Sequence, residues 1–161
     1  MDSNLCQSLP LGRSLAILAK TYFGALTKEL EHLQVERYYS ILIIIENSEG
    51  PCTQQYICDK LKIDKVSMVR IIDYLLKKKL VKKILNPTDR RAYLIQLTPL
   101  AKKILPEIHD AIERVNQAAF KDISISKQKE IYNQLSQIHK NLDRLPAQKI
   151  YINYKKASKK G

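Results

Sequence analysis

The chain has no tryptophan, and its 161 residues include only four glycines and three cysteines. So few glycines exclude a phosphate-cradling loop, and neither G-x-G-x-x-G nor G-x-x-x-x-G-K-S/T occurs. Three cysteines are too few for a disulfide scaffold, and their odd number fits the reduced thiols of a cytoplasmic protein. The longest apolar run, residues 41–45, falls far short of the roughly 18 residues that cross a bilayer. Met1-Asp2-Ser3-Asn4 offers neither a basic start nor an apolar stretch, so no signal peptide and no membrane partner are expected. What remains is ordinary globular material, 45% hydrophobic and 27% charged. Its length suits one domain, with or without a helical extension, and needs no covalent staple.

Acidic residues are also scarce: 16 against 28 lysines and arginines, a formal net charge of +12. Such a balance favours a polyanionic partner. Residues 1–34 are balanced, with 3 basic and 3 acidic side chains. Residues 65–91 hold 9 basic and 2 acidic, and the last sixteen hold five lysines and no acid. A charge run can equally be a solvated surface, so its position in the fold has to decide.

Leu15, Leu18, Tyr22, Leu26 and Leu30 recur every three or four residues, which predicts an amphipathic helix over about 10–33. Residues 36–47 read as a buried helix, with Gly50 in a left-handed stop and Pro51 after it. Thr53 is placed to cap a short helix, 54–61, with Ile57, Cys58 and Leu61 inward. After a turn at Lys62-Ile63, Asp64 caps a helix over 65–79. There Met68, Ile71, Ile72 and Leu75 share one face, and Lys65, Val66, Arg70, Asp73 and Lys77 the opposite one. Two short helices joined by a tight turn, the second basic on its outer face, make a helix-turn-helix.

Residues 80–85 and 92–97 read as strands around the turn cluster Asn86-Pro87-Thr88-Asp89, giving a hairpin wing tipped by Asp89, Arg90 and Arg91. Thr98 caps the next helix, with Pro99 at its first position, and the pattern runs to about Phe120 with a kink expected at Pro106. A break over 122–126, with Ser126 as cap, precedes a last helix. Its Ile131, Leu135, Ile138, Leu142 and Leu145 form a heptad-like seam ended by Pro146. The expected fold is mainly α with a small β-hairpin wing. Residues 35–98 form a winged helix-turn-helix, 1–34 and 99–145 a helical dimerisation region, and 146–161 a basic tail. The terminal stripes need covering, either by a second subunit or by an intrachain bundle.

The stretch T-Q-Q-Y-I-C-D-K-L-K-I-D-K-V-S-M-V-R-I-I-D-Y-L-L-K-K-K-L-V-K-K, residues 53–83, is followed by N-P-T-D-R-R-A-Y-L-I-Q-L-T, residues 86–98. In these the chain resembles the MarR family of winged-helix transcriptional regulators. The family wing pattern, D-x-R, five residues, then L-T, is supplied by Asp89, Arg91, Leu97 and Thr98. The likeness in helix order covers about residues 10–145. Lys62 and Lys79 stand where the family often has Gly, Ala101 where a Gly is common after the wing, and Leu76 where a Glu is common. Left-handed geometry at either lysine costs roughly 1–2 kcal/mol.

The resemblance implies a homodimeric repressor or activator on a near-palindromic operator, most simply a repressor relieved by a small aromatic or lipophilic effector. The helix 65–79 would lie in the major groove. Arg70 suits guanine O6 and N7, and Lys65 and Ser67 suit phosphates or bases. Val66 and Val69 suit thymine methyls, or else pack at the lobe's edge. Lys77, with Lys78, Lys82 and Lys83, suits phosphates, and Gln54 and Gln55 open a helix whose N–H groups can hold one. At the wing Arg90 or Arg91 would enter the minor groove, with Asp89 pairing to Arg91 and stiffening the tip.

Other chemistries have thinner support. His32, His109 and His139 fall on three helices, and Glu113 four residues after His109 is a weak ligand pair, so no metal or cofactor is expected. No nucleophile-base set is visible, so the chain is not expected to be an enzyme. Cys52 and Cys58 read as buried, whereas Cys6 before the first helix leaves open a thiol-sensing regulator of the same fold. Tyr22, Arg37 and Tyr38, with Phe23 and Tyr39, either line an effector pocket or serve as core aromatics. A winged helix that binds an acidic protein is the remaining alternative.

Overall fold

The structure is a computed structural model and describes residues 9–35, 38–89 and 92–146. Helix α1 spans Leu11–Glu29 and leads through a 3-10 turn, Glu31–Leu33, to α2, Tyr39–Glu46. Then come α3, Gln54–Leu61, α4, Lys65–Lys77, β1, Val81–Leu85, β2, Tyr93–Leu97, α5, Pro99–Ala119, and α6, Ile125–Leu142.

The core sits where α2 to α5 and the hairpin meet. Leu42, Ile57, Met68, Ile72, Leu75, Ile95 and Ile108 are almost wholly removed from water there. Each such side chain contributes about 1.5–3 kcal/mol of burial. Strands β1 and β2 pair antiparallel, Val81 opposite Leu97 and Leu85 opposite Tyr93. The outer edge of β2 is not left open: Ile95 N–H donates to Cys52 O at 2.7 Å, and Thr53 bridges Leu94. That contact ties the segment before α3 to the wing. Asn86 closes the hairpin's far end, its N–H donating to Ala92 O and its Oδ1 accepting from Thr88.

Helix α5 keeps Ala101, Leu105, Ile108, Ala111 and Val115 on its buried face. It runs unbroken through Pro106, whose position is solvent-exposed; the expected kink does not interrupt it. Arg114–Glu29 at 3.0 Å, His109–Glu46 at 2.7 Å and a His32–Glu107 contact link α5 to α1, α2 and the 3-10 turn. The first helix stops at Glu29, and Leu18 on its expected inner stripe is 60% exposed. No described glycine has positive φ, so Gly50 does not make the left-handed stop; α2 ends on Asn47. The cap of α6 is Ser124, not Ser126, because the chain already turns at Asp122, φ 63°. Ser126 therefore lies inside the helix.

The expected seam on α6 is real but uncovered. No residue of that helix is buried, and Ile131, Leu135 and Leu142 are 37%, 41% and 53% exposed. Among the described residues, no other element buries this seam.

Lys62 and Lys79 take left-handed backbone at φ 51° and 57°, although neither is Gly. Gly at such a position relieves about 1–2 kcal/mol of side-chain crowding and returns about half of that in unfolded-chain entropy. Lys62→Gly should therefore raise the thermal midpoint, and Ile72→Ala should lower stability by about 2–5 kcal/mol. Chemical denaturation checks both; an Ile72→Ala variant as stable as the parent would contradict the core described here.

Candidate nucleic-acid interface

The ends of α4 are set by side chains. Asp64 Oδ1 accepts a 2.8 Å hydrogen bond from Ser67 N–H, filling one of the four donors a helix start leaves open. The Ser67 hydroxyl and N–H hold the Asp64 carboxyl below its usual range. One turn back, Thr53 Oγ1 accepts from Tyr56 N–H and starts α3. Between them Lys62 turns left-handed, and Ile63 N–H donates to Cys58 O at 3.1 Å, which buries Ile63. At the far end Lys79 also turns left-handed. Thr98 clamps that turn: its hydroxyl donates to Lys79 O at 2.6 Å, and its N–H donates to Leu80 O. The same hydroxyl oxygen accepts from Ala101 N–H and starts α5. The Thr of the L-T pair therefore joins the end of α4, the wing and α5.

With Met68, Ile71, Ile72 and Leu75 buried, the helical period turns the other face to water. Lys65, Arg70 and Lys77 are exposed there. Val66 is 64% and Val69 47% exposed, so neither packs at the lobe's edge. Ser67 is half-buried. Asp73 shares this face and lies 3.8 Å from Lys83 of β1, so its charge is partly offset from the wing side. Lys78 is likewise engaged, donating to Gln34 Oε1 at 2.9 Å. Of the four lysines assigned to phosphate, Lys77 and Lys82 are exposed with no such partner among the described residues, whereas Lys78 and Lys83 face other side chains.

Gln54 is half-buried, and Gln55 is exposed with its amide donating to Asp59 at 2.8 Å. Asp89 is exposed at the wing, and its carbonyl accepts from Ala92 N–H. Arg90, Arg91, Arg37 and Cys6 lie outside the described residues, as does the tail from 147 onward.

The aromatic set does not converge. Tyr22 Oη donates to Asn116 Oδ1 at 2.7 Å across α1 and α5; burial, then the nearby Tyr132, pushes its pKa up. Tyr38 stands edge-on to Tyr74 of α4, ring centres 5.1 Å apart. Two open cavities, of about 640 and 360 Å3, are lined by neither tyrosine. The smaller lies along the end of α1, between Gly24 and Gln34. Burial raises the thiol pKa of both Cys52 and Cys58 and keeps them protonated. His109 pairs with Glu46, while Glu113 accepts from Gln117, so the spacing of His109 to Glu113 makes no ligand pair. Among the described residues no cluster of His, Cys, Asp and Glu could hold a metal, and no helix is long and apolar enough to cross a membrane.

Sequence reasoning passed over Gln34 and Tyr74. Tyr74 Oη donates to Gln34 O at 2.7 Å, a contact between residues 40 positions apart that no periodicity announces.

Because the depressed carboxyl of Asp64 is favoured only when ionised, its contribution is present above the ordinary carboxylate range. It is lost as pH falls through the lowered folded value. Asp64→Ala should therefore destabilise the chain at neutral pH, by an amount that shrinks well below about pH 4. Melting both proteins across that range tests this; a constant difference would mean that the ionised cap contributes nothing.

Residues 34–92 match the MarR family model. A protein of Thauera aromatica, named as a transcriptional regulatory protein for the hcr operon, is 27% identical over 109 residues. That alignment covers 68% of this chain and 65% of the relative's own length. A MarR transcriptional regulator of Methanosarcina mazei has the same fold with TM-score 0.76 and 24% identity, over 84% of this chain and 98% of that one. A MarR family transcriptional regulator of Listeria monocytogenes, solved in complex with a 26mer DNA, follows at TM-score 0.75 and 23% identity, over 83% and 89%. With the capped α3–α4 pair, the Thr98 clamp and the hairpin all in place, residues 34–92 are similar to the MarR family in sequence, and the chain shares the winged-helix fold of these solved structures.

Proposed function

We propose that this chain is a homodimeric, sequence-specific DNA-binding regulator, with α4 in the major groove and the wing in the minor groove. The outward face of α4 carries the reading. It presents Lys65, Val66, Arg70 and Lys77 to solvent from a helix whose inner face is locked in the core. The fold likeness to a relative solved with DNA supports the same placement. Arg70 is the base-reading residue, its planar fork matched to guanine. Lys65, Lys77, Lys82, Gln54 and Gln55 hold the backbone, and Ser67 stands at the helix start beside them. Arg90 and Arg91 supply the minor-groove contact, with Asp89 stiffening the tip.

Dimerisation rests on the uncovered stripes. Leu11 and Leu18 of α1, with Ile131, Leu135, Leu142 and Leu145 at the other end, leave large apolar side chains in water. A two-fold copy covers both stripes at once. The form of regulation carried over from the family likeness is a repressor relieved by a small aromatic or lipophilic effector. The cavity of about 360 Å3 beside Gln34 has the size of a small-ligand site. The thiol-sensing alternative gains nothing from Cys52 and Cys58, and no acidic-protein partner is favoured by any contact described.

Selection of binding sequences from a randomised duplex library by the full chain tests the reading. Arg70→Ala should weaken the selected site by about 1–3 kcal/mol and relax one base position. Arg91→Ala should weaken it too. Lys77→Ala should lower affinity evenly and reduce the salt slope by about one. Equal affinity for selected and random duplex would overturn the sequence-specific reading. Leu135→Glu should convert the dimer to a folded monomer in sedimentation; a parent chain already monomeric at micromolar concentration would overturn the dimer.

A further inference from the structure

Gln34 closes the 3-10 turn after α1 and stands in the left-handed region at φ 53°, which fixes the direction of its backbone carbonyl. That carbonyl accepts the 2.7 Å bond from Tyr74 Oη, and its side-chain Oε1 accepts the 2.9 Å bond from Lys78 Nζ. Tyr74 lies in the last turns of α4, and Lys78 is its C-cap. The Lys78 ammonium also sits 5.8 Å from the centre of the Tyr74 ring, which in turn meets the Tyr38 ring edge-on. Two oxygens of one residue thus hold the end of α4. The packing of α4 itself runs to α3 and β1, inside its own lobe. Burial of Met68, Ile71, Ile72 and Leu75 fixes how α4 is rolled. The aim of α4 relative to α1 is held by the shared core and, in addition, by polar ties. The bonds to Gln34 run from α4 to the segment that follows α1 and supply directional ties that apolar packing does not.

We infer that Gln34 is a positioning residue for the DNA-reading helix: it aims α4 relative to α1 and thereby sets the half-site spacing that the dimer accepts. The inference rests on the dimeric DNA reading proposed above. One base pair of spacing moves a half-site by about 3.4 Å along the duplex and turns it by about 34°. A lobe tied at Gln34 cannot follow such a change without breaking a hydrogen bond, whereas an untied lobe can rock to meet it.

The experiment uses a site selected by the full parent chain, together with copies whose spacer is one base pair longer or shorter. Gln34→Gly keeps the left-handed backbone and deletes the oxygen that holds Lys78. Tyr74→Phe deletes the hydroxyl alone and leaves the ring and its packing. Lys78 itself is a poor test position, because removing it also removes a cation near the proposed DNA path. The parent should prefer the selected spacing. Each variant should bind that spacing about 2- to 10-fold more weakly, as for one lost hydrogen bond. Its affinity for the altered spacers should change little, with the dimer and the thermal midpoint kept. Equal loss at all three spacings, or no loss at any, would overturn the positioning role while leaving the DNA reading intact. A parent chain indifferent to spacing would overturn the two-lobe reading, and the inference with it.

Discussion

The burial of one face of α4 is the constraint from which the rest follows. Met68, Ile71, Ile72 and Leu75 sit at spacings of three, one and three, and all four are removed from water among α3, β1 and their neighbours. Moving any of them into solvent forfeits about 1.5–3 kcal/mol, so the roll of the helix is not negotiable. The opposite face then has to point outward, and its chemistry is whatever the sequence places there: Lys65, Val66, Arg70, Asp73 and Lys77. The proposed reading surface is a by-product of core packing, which makes it rigid without needing any contact of its own.

Roll alone does not place a helix. Its two ends must also be stopped and aimed, and here polar groups do what the core cannot. Asp64 and the left-handed Lys62 set the start. Thr98 sets the end by holding Lys79 O, and the same oxygen starts α5. Gln34 adds a tie from outside the lobe. The strain at Lys62 and Lys79 is tolerated because each is held on both sides, by a buried Ile63 in one case and by the Thr98 hydroxyl in the other.

Much of this was legible from residue order. Thr53, Asp64 and Thr98 cap where their positions predict, because an N-cap needs only a short polar side chain ahead of an apolar period. The bounds of α3 agree with expectation, as does the inner face of α4. Local ambiguity defeated other readings. Ser124 and Ser126 are equally good caps by type, and only the turn at Asp122 decides between them. Gly50 offered a left-handed stop that α2 does not use. In the proposed interface, exposure of Val66 and Val69 could not be told from edge packing. Engagement of Lys78 by Gln34 and the approach of Lys83 to Asp73 depend on distant partners that carry no periodic signal.

The uncovered helix α6 is the feature a single chain leaves unexplained. Its apolar residues keep the spacing of a packed seam, yet none is buried, and the Phe120–Tyr132 ring contact holds only its base. Helical period without burial is not a property selected for solvation, since polar residues at the same positions would favour an isolated helix more. Under the proposed dimer, this surface is completed by a second copy. In the proposed dimer a second copy would need no additional specificity, because one rotation would present α1 to α1 and α6 to α6. That same rotation would set two copies of α4 at a fixed separation. The proposed function depends on the separation, and the tie at Gln34 would carry it from the terminal helices to the reading face.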